Sequence, residues 1–385
     1  MTTQPSASSF SLASPEEVLA YIPHALGFYP RNAVVLLIMQ GTGLAATLRV
    51  DLPLTGNGEE QCLQWTKQLV RLVHKVPDAT SVFAAIYTGQ TPGKDHGSLP
   101  KHELLEQLAA AMVHSGIHVR DSWYVGAQRW HSYFCKSENC CPTEGFELPD
   151  LALTETHLRM VVAGSAPEEH IWDGSGVADW TNKTTIREYA EILAHEYVGT
   201  DNRESMIRDW ADLLEAHPVL AERRLRGDES FCASLLVSLS DRTVRDILPY
   251  LAGRGTTRAL EAFKEVSREA GFGPASQDFS EFLLGTSSCT PDWDRIDRLW
   301  FYCRDLLGAA HGTEETALLC LLGWVNWAKG KGSSALGLFS TALEKDPDYR
   351  LAQLMGTLLE SGEMPSWVAD PRRAWRLRLE GRLSA

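Results

Sequence analysis

The chain has 385 residues, 44% hydrophobic and 22% charged, with a formal net charge of -14. That length predicts two domains rather than one core, and the composition excludes a disordered or fibrous chain. The acidic balance argues against non-specific nucleic-acid binding, which runs on an excess of Lys and Arg against phosphate.

The N-terminal stretch MTTQPSASSFSLASPEEV has neither the basic region nor the apolar region of a signal peptide. Ser14-Pro15-Glu16-Glu17 reads as a helix start, with Ser14 as cap, Pro15 at the first helical position and Glu17 completing a capping box. Pro23 should stop this helix. The longest apolar run, Ala33 to Met39, is a strand by length, far below the roughly eighteen residues of a membrane span. No membrane span is expected, and the predicted setting is cytoplasmic, where thiols stay reduced.

Gln40-Gly41-Thr42-Gly43 then separates this strand from a second, Leu44 to Asp51. Gly41-x-Gly43-x-x-Ala46 superficially matches a dinucleotide fingerprint, but that mechanism needs a helix to open at the glycines. The following Thr47-Leu48-Arg49-Val50-Asp51-Leu52-Pro53 is β-rich and ends in proline, so a hairpin turn is the reading. A helix over 59–76, a strand over 80–87, a helix over 101–115 and strands over 118–125 and 128–135 follow. Their alternation predicts an α/β domain with a mixed sheet, crossover helices and hairpins, over residues 1–165.

From about Ile171 the pattern becomes all-helical. Residues 166–179, rich in Gly, Asp and Glu, are the expected linker, and 180–385 an all-α domain. Within it Gly323, Gly330, Ala335, Phe339, Ala342 and Pro347 are spaced like one tetratricopeptide (TPR) unit, predicting a TPR-like hairpin over about 316–347. An ordinary antiparallel helix pair would carry the same spacing. The tail 370–385 holds five arginines among Trp375, Leu377 and Leu379. It could dock on an acidic partner, a nucleic-acid backbone or a membrane surface, or lie along this acidic protein's own surface.

Several segments in order resemble an actinobacterial family known as a domain of unknown function, DUF4192. They are Pro23-x-x-Leu26-Gly27-Phe28-x-Pro30, Asp51-Leu52-Pro53, Trp130-x-Ser132-Tyr133-x-Cys135 and Cys140-Cys141-Pro142-x-x-Gly145. Asp241-x-x-Val244-Arg245-Asp246, Asp346-Pro347-x-Tyr349-x-Leu351-Ala352 and Gly362-x-x-Pro365-x-Trp367 complete the set. The resemblance implies an actinobacterial origin and a shared two-part layout. It carries no activity and no catalytic residue.

Chemistry concentrates in WHSYFCKSENCCPTEG, which holds Cys135, Cys140 and Cys141. If 128–135 is one strand, His131 and Cys135 share a face but lie ~13 Å apart. Both could not then reach one zinc ion, whose ligands sit at ~2.0–2.3 Å. The three cysteines remain as candidate metal or redox residues, with zinc the possible ion and Glu138, Glu144 or a distant histidine as fourth ligand. Packing as small apolar residues is the alternative.

His195-Glu196 lacks the second histidine of a metalloprotease helix, since position 199 is glycine. Gly164-Ser165 and Gly174-Ser175-Gly176 lack a nucleophile elbow's strand and helix. Lys94-Asp95-His96 lies in a loop where acid–base chemistry could sit. Asp241, Arg242, Arg245 and Asp246 are spaced for ion pairs along a helix. No complete catalytic set emerges and no cofactor is implied. The expected role is a cytoplasmic adaptor with a protein partner, and the alternative is an enzyme or metal/redox sensor built on Cys135, Cys140 and Cys141.

Overall fold

The computed structural model describes residues 14–53, 59–92, 99–135, 137, 139–177, 179–197, 201–267, 273–370 and 372–375. Lys94-Asp95-His96, Glu138, Gly199 and the tail beyond Trp375 lie outside the described residues. The chain forms two compact units, one built on residues up to Ile171 and one on Trp172–Val368 with Arg373–Trp375.

The first unit is an α/β domain. Six strands, β1 (Ala33–Gln40), β2 (Gly43–Asp51), β3 (Ser81–Tyr87), β4 (His118–Val125), β5 (Arg129–Ser132) and β6 (Phe146–Glu147), form one sheet in the order β2-β1-β3-β4-β5-β6. Only β3 and β4 are parallel, joined by a crossover through helix α3 (His102–His114). The other pairs are antiparallel, so the sheet is mixed. β1 is buried at every position from Ala33 to Met39, which is why its sequence is a continuous apolar run rather than an alternation. Gly41 and its neighbours turn the β1–β2 hairpin, so the glycine pattern there is a turn and not a nucleotide cradle.

Helix α1 (Pro15–Leu26) departs from expectation in two ways. It runs through Pro23 and stops at Gly27, whose φ of 85° is the left-handed conformation that glycine adopts without strain. The Gly27 amide still donates to the Pro23 carbonyl at 2.7 Å. Ser14 does cap the helix, accepting from the Glu17 amide at 3.4 Å. The Glu17 carboxylate does not complete a capping box. It accepts from the Thr156 amide at 2.8 Å, in the first turn of α4 (Glu155–Val162), and so ties the two helices together.

A second tie between α1 and α4 is a buried imidazole. His24 is 1% exposed. Its Nδ1 lies 2.9 Å from Ser165 Oγ and its Nε2 lies 3.1 Å from His157 Nδ1. Burial, together with the neighbouring His157, lowers the His24 pKa from the usual histidine value to about 4.

The second unit is all-helical, from α5 (Lys183–Glu196) to α15 (Arg350–Glu360). At its centre α13 (Gly312–Ala328) is buried from Thr316 to Ala328, apolar on every side. No helix among the described residues is long and apolar enough to cross a membrane. α13 packs against α14 (Gly332–Lys345) with Gly323 beside the Phe339 ring and Ala335 and Ala342 buried at the contact.

The DUF4192-like residues of this unit act structurally. Asp241 caps α9 (Arg242–Arg254), accepting from the Thr243 and Val244 amides. Arg245 is buried and pairs not with Asp241 but with its neighbour Asp246 at 2.6 Å, while its Nη1 donates to the Tyr349 hydroxyl at 2.7 Å. The expected i,i+4 pairing is thus replaced by a network reaching another helix, because Asp241 is already engaged by the helix amides. Trp367 is fully buried and its indole donates to the Ala328 carbonyl at 2.8 Å. In the described part of the tail, Trp375 donates to Asp297 at 3.0 Å, so this part lies on its own unit.

Trp367→Ala should destabilise the second unit by about 3–5 kcal/mol through the cavity left among buried aromatics, read as a shifted urea midpoint. A loss below about 1 kcal/mol would contradict the central place given to this indole. Acid should act on the first unit. Because the His24 pKa is lower folded than unfolded, the unfolded chain binds more protons between pH 6.5 and about 4. Stability is therefore full above pH 6.5 and falls by up to about 3 kcal/mol as the pH drops to 4. His24→Gln should flatten that slope in equilibrium unfolding measured across the same range.

Candidate thiol site

The loop after β5 starts with a hydroxyl. Ser132 Oγ accepts hydrogen bonds from the amides of Phe134 at 3.3 Å and Cys135 at 3.0 Å. This turns the chain at Tyr133 and ends β5 at Ser132, three residues before the end read from the alternating pattern. Upstream, Trp130 is buried and stacked on Phe146 of β6 at 4.3 Å, while the Tyr133 hydroxyl donates to the Pro100 carbonyl at 2.5 Å. The loop therefore leaves from an anchored base.

A second turn brings the other two cysteines round. The amides of Cys140 and Cys141 both donate to the Ser137 carbonyl, at 3.1 and 2.8 Å. The chain then returns through Pro142, whose carbonyl accepts from the Gly145 amide at 2.8 Å. Gly145 has φ 76° and lies against the His131 ring, where a Cβ would come within 2.5 Å, so both conformation and space require glycine. On the far side Arg129 donates to the Glu144 carbonyl at 3.0 Å and pairs with Glu147, closing the base of the loop.

The result places Cys135 Sγ 3.0 Å from Cys140 Sγ, and Cys140 Sγ 3.8 Å from Cys141 Sγ. All three sulfurs lie within 4.8 Å of one another, with Cys140 exposed and the others half-buried. Adjacent cysteines in extended backbone would face apart, and the turn at the Ser137 carbonyl is what brings Cys140 and Cys141 to one side. Among the described residues no His, Asp or Glu joins this cluster, so neither His131 nor Glu144 supplies a fourth ligand atom.

The three thiols are inequivalent. Hydrogen bonds from Cys140 and Cys141, and from the Ser137 backbone, lower the pKa of Cys135, which therefore ionises before Cys141. Burial, and the bonds Cys141 makes with its two neighbours, push the Cys141 thiol up to about 12. The loop can therefore give up its thiol protons to hold a thiophilic cation, or, given a two-electron oxidant, two of its thiols can lose protons and electrons to form a sulfur–sulfur bond.

Of the other sequence candidates, Lys94-Asp95-His96 lies outside the described residues. His195 ends α5 without a histidine partner in a zinc motif. Ser165 is engaged by His24, and the Ser175 amide donates to Asp173 in a tight turn at 2.9 Å. Sequence reasoning passed over His24 and His157, which are 133 residues apart, and the one available signal was a histidine set in the apolar face of α1.

No curated protein and no solved structure matches the chain. A family profile described as Domain of unknown function (DUF4192) matches residues 15–276 and 283–366, spanning most of both units. The chain belongs to the DUF4192 family.

Proposed function

We propose that the Cys135–Cys141 loop is a thiolate site for a thiophilic metal ion, with zinc the expected occupant, in a cytoplasmic protein. The observation that carries this is the convergence of three sulfurs within 4.8 Å at an exposed rim. Tetrahedral zinc with sulfurs at ~2.3 Å separates them by ~3.8 Å. The Cys140–Cys141 separation of 3.8 Å already matches, and the Cys135–Cys140 pair at 3.0 Å need only open slightly. Three protein ligands leave a fourth tetrahedral position for water or a partner's side chain. The buried, unpaired Cys232, Cys303 and Cys320 suit the reducing compartment that such a site requires.

Two observations also favour an interaction role. Leu158 is 53%, Val161 48% and Val162 87% exposed, at spacings that place them along one side of α4. The α13–α14 pair has the small-residue contact of a TPR-like hairpin, although α13 is buried on all sides and offers no open groove. The expected actinobacterial origin rests on the family resemblance alone.

The deciding experiment is elemental analysis with a free-thiol count on protein purified anaerobically without added metal. The expected outcome is about one zinc per chain, with further loop thiols, Cys135 among them, becoming reactive on chelation and Cys140→Ser lowering the zinc content. Metal-free protein whose loop thiols react to the same extent with and without chelator would sink the assignment. Metal-free protein that forms a Cys135–Cys140 disulfide under mild oxidant would transfer the loop to redox chemistry.

In metal-free protein, alkylation followed by peptide mass mapping should find Cys135 modified before Cys141 as the pH rises, with Cys141 resisting modification until strongly alkaline pH. The reverse order would contradict the proton distribution in the loop. Leu158→Asp with Val162→Asp should leave the unfolding midpoint within about 0.5 kcal/mol. If α4 carries a docking surface, the same variant should lose whatever protein co-purifies with the wild type.

A further inference from the structure

A cavity of about 970 Å³ opens in the first unit at the carboxyl ends of β3 and β4, where Tyr87 and Val125 are the last strand residues. This is the edge of a parallel strand pair at which α/β sheets receive ligands, and the size is that of a small-molecule site. Leu19 and Pro23 of α1, with Tyr29, Tyr87, Leu148 and Leu151, make most of its wall apolar.

Its charged lining is already neutralised. Arg31 is paired with Glu169, and Glu147 with Arg129 of β5, so the wall presents no uncompensated charge to an ionic ligand. Asn32, Thr88 and Gln128 add polar groups to the wall, and His157 is its one imidazole, with Nδ1 taken by His24. That leaves Nε2 as its other hydrogen-bonding atom. The amide of His157 donates to Thr154 Oγ1 at 3.2 Å, which fixes it in the first turn of α4.

We propose that this cavity binds an uncharged, largely apolar small molecule bearing a hydroxyl group, and that His157 hydrogen-bonds that hydroxyl while His24 and Ser165 position its ring. The chain Ser165–His24–His157 can run in either direction. When His24 donates from Nδ1 to Ser165, its Nε2 accepts from His157 Nδ1, and His157 Nε2 is an acceptor. When Ser165 donates to His24 Nδ1, His24 Nε2 donates to His157, and His157 Nε2 carries the proton. No net charge moves between the two states, and a hydroxyl, donor and acceptor at once, satisfies either. Burial and the neighbouring His157 keep His24 itself neutral above about pH 4. Such a buried orienter behind a second imidazole is the arrangement by which sites fix a ring for binding or proton transfer.

The test uses the full chain with ring-labelled histidines and two probes of equal body, 2-naphthol and its methyl ether 2-methoxynaphthalene. The expected result is one 2-naphthol per chain, with the ring-nitrogen resonances of His157 and His24 shifted on binding. The ether, which cannot donate and can accept only in the state that puts the proton on His157 Nε2, should bind about tenfold more weakly and hold His157 in that one state, read from its ring-nitrogen shifts. In His157→Phe the two probes should bind alike. In Ser165→Ala, which leaves the cavity wall intact, the tautomer ratio of His24 should move and the discrimination shrink. Absence of binding by both probes up to their solubility overturns the proposal. So does equal binding of both with unmoved histidine resonances in the wild-type chain, a result that stands even if a variant fails to fold. The outcome is independent of zinc content, so the thiol site and this cavity stand or fall separately.

Discussion

The first unit depends on the burial of β1. Seven consecutive residues from Ala33 to Met39 lie out of solvent, so the strand cannot sit at an edge or face water on either side. It therefore pairs with β2 on one flank and β3 on the other. Helices must cover the sheet, and α1, paired with α4, packs on β2 while α3, paired with α2 (Glu59–His74), packs on β4. Burying about 25 cal/mol per Å² of apolar surface makes this core the dominant stabilising term. The consequence for function is geometric. With the sheet's centre sealed, chemistry is confined to its ends, where loops meet at the carboxyl ends of β3 and β4, and to its far edge, where β5 releases the cysteine loop.

Two polar ties hold that cover in place, and both are long-range. The Glu17 carboxylate reaches the first turn of α4, where the unsatisfied amides of a helix start favour an anion. His24 reaches Ser165 and His157 from the same helix. Neither tie was legible in the sequence. Glu17 carries the spacing of a local capping box, and the competing donor, the Thr156 amide, lies 139 residues away. His24 reads as one polar residue in an apolar helix, and only the tertiary arrangement supplies partners that offset the cost of burying it.

What was legible is what periodicity and punctuation encode. The mixed sheet, its crossover helix and the change to an all-helical chain all follow from runs and alternations that local sterics and burial impose. The end of β5 did not follow, because the alternation continues past Ser132 while the hydroxyl of that residue captures the next two free amides. That local competition is also what makes the thiol site. An uninterrupted strand would carry Cys135 away from the sheet edge in extended backbone, and the turn instead aims it at Cys140. The DUF4192 residues divide in the same way. Arg245, Tyr349 and Trp367 form buried contacts within the helical unit, whereas Trp130, Ser132, Tyr133 and Gly145 frame the cysteine loop without being its reactive atoms.

The arrangement of the three sulfurs sets what the loop can do. One thiolate is stable there because two neighbours donate to it, but a second anion within 4.8 Å would meet the charge of the first. The burial that holds the Cys141 proton has the same effect, so the loop resists full ionisation on its own. A divalent cation removes that repulsion and allows all three to ionise, at the cost of releasing their protons. A metal held there would be bound with steeply pH-dependent affinity, weakening as acid returns the protons. A disulfide relieves the same crowding differently, by joining Cys135 to Cys140 and leaving Cys141 as a thiol. Either chemistry uses the feature that an apolar packing role would not need, a sulfur at the exposed rim, and that sulfur is Cys140.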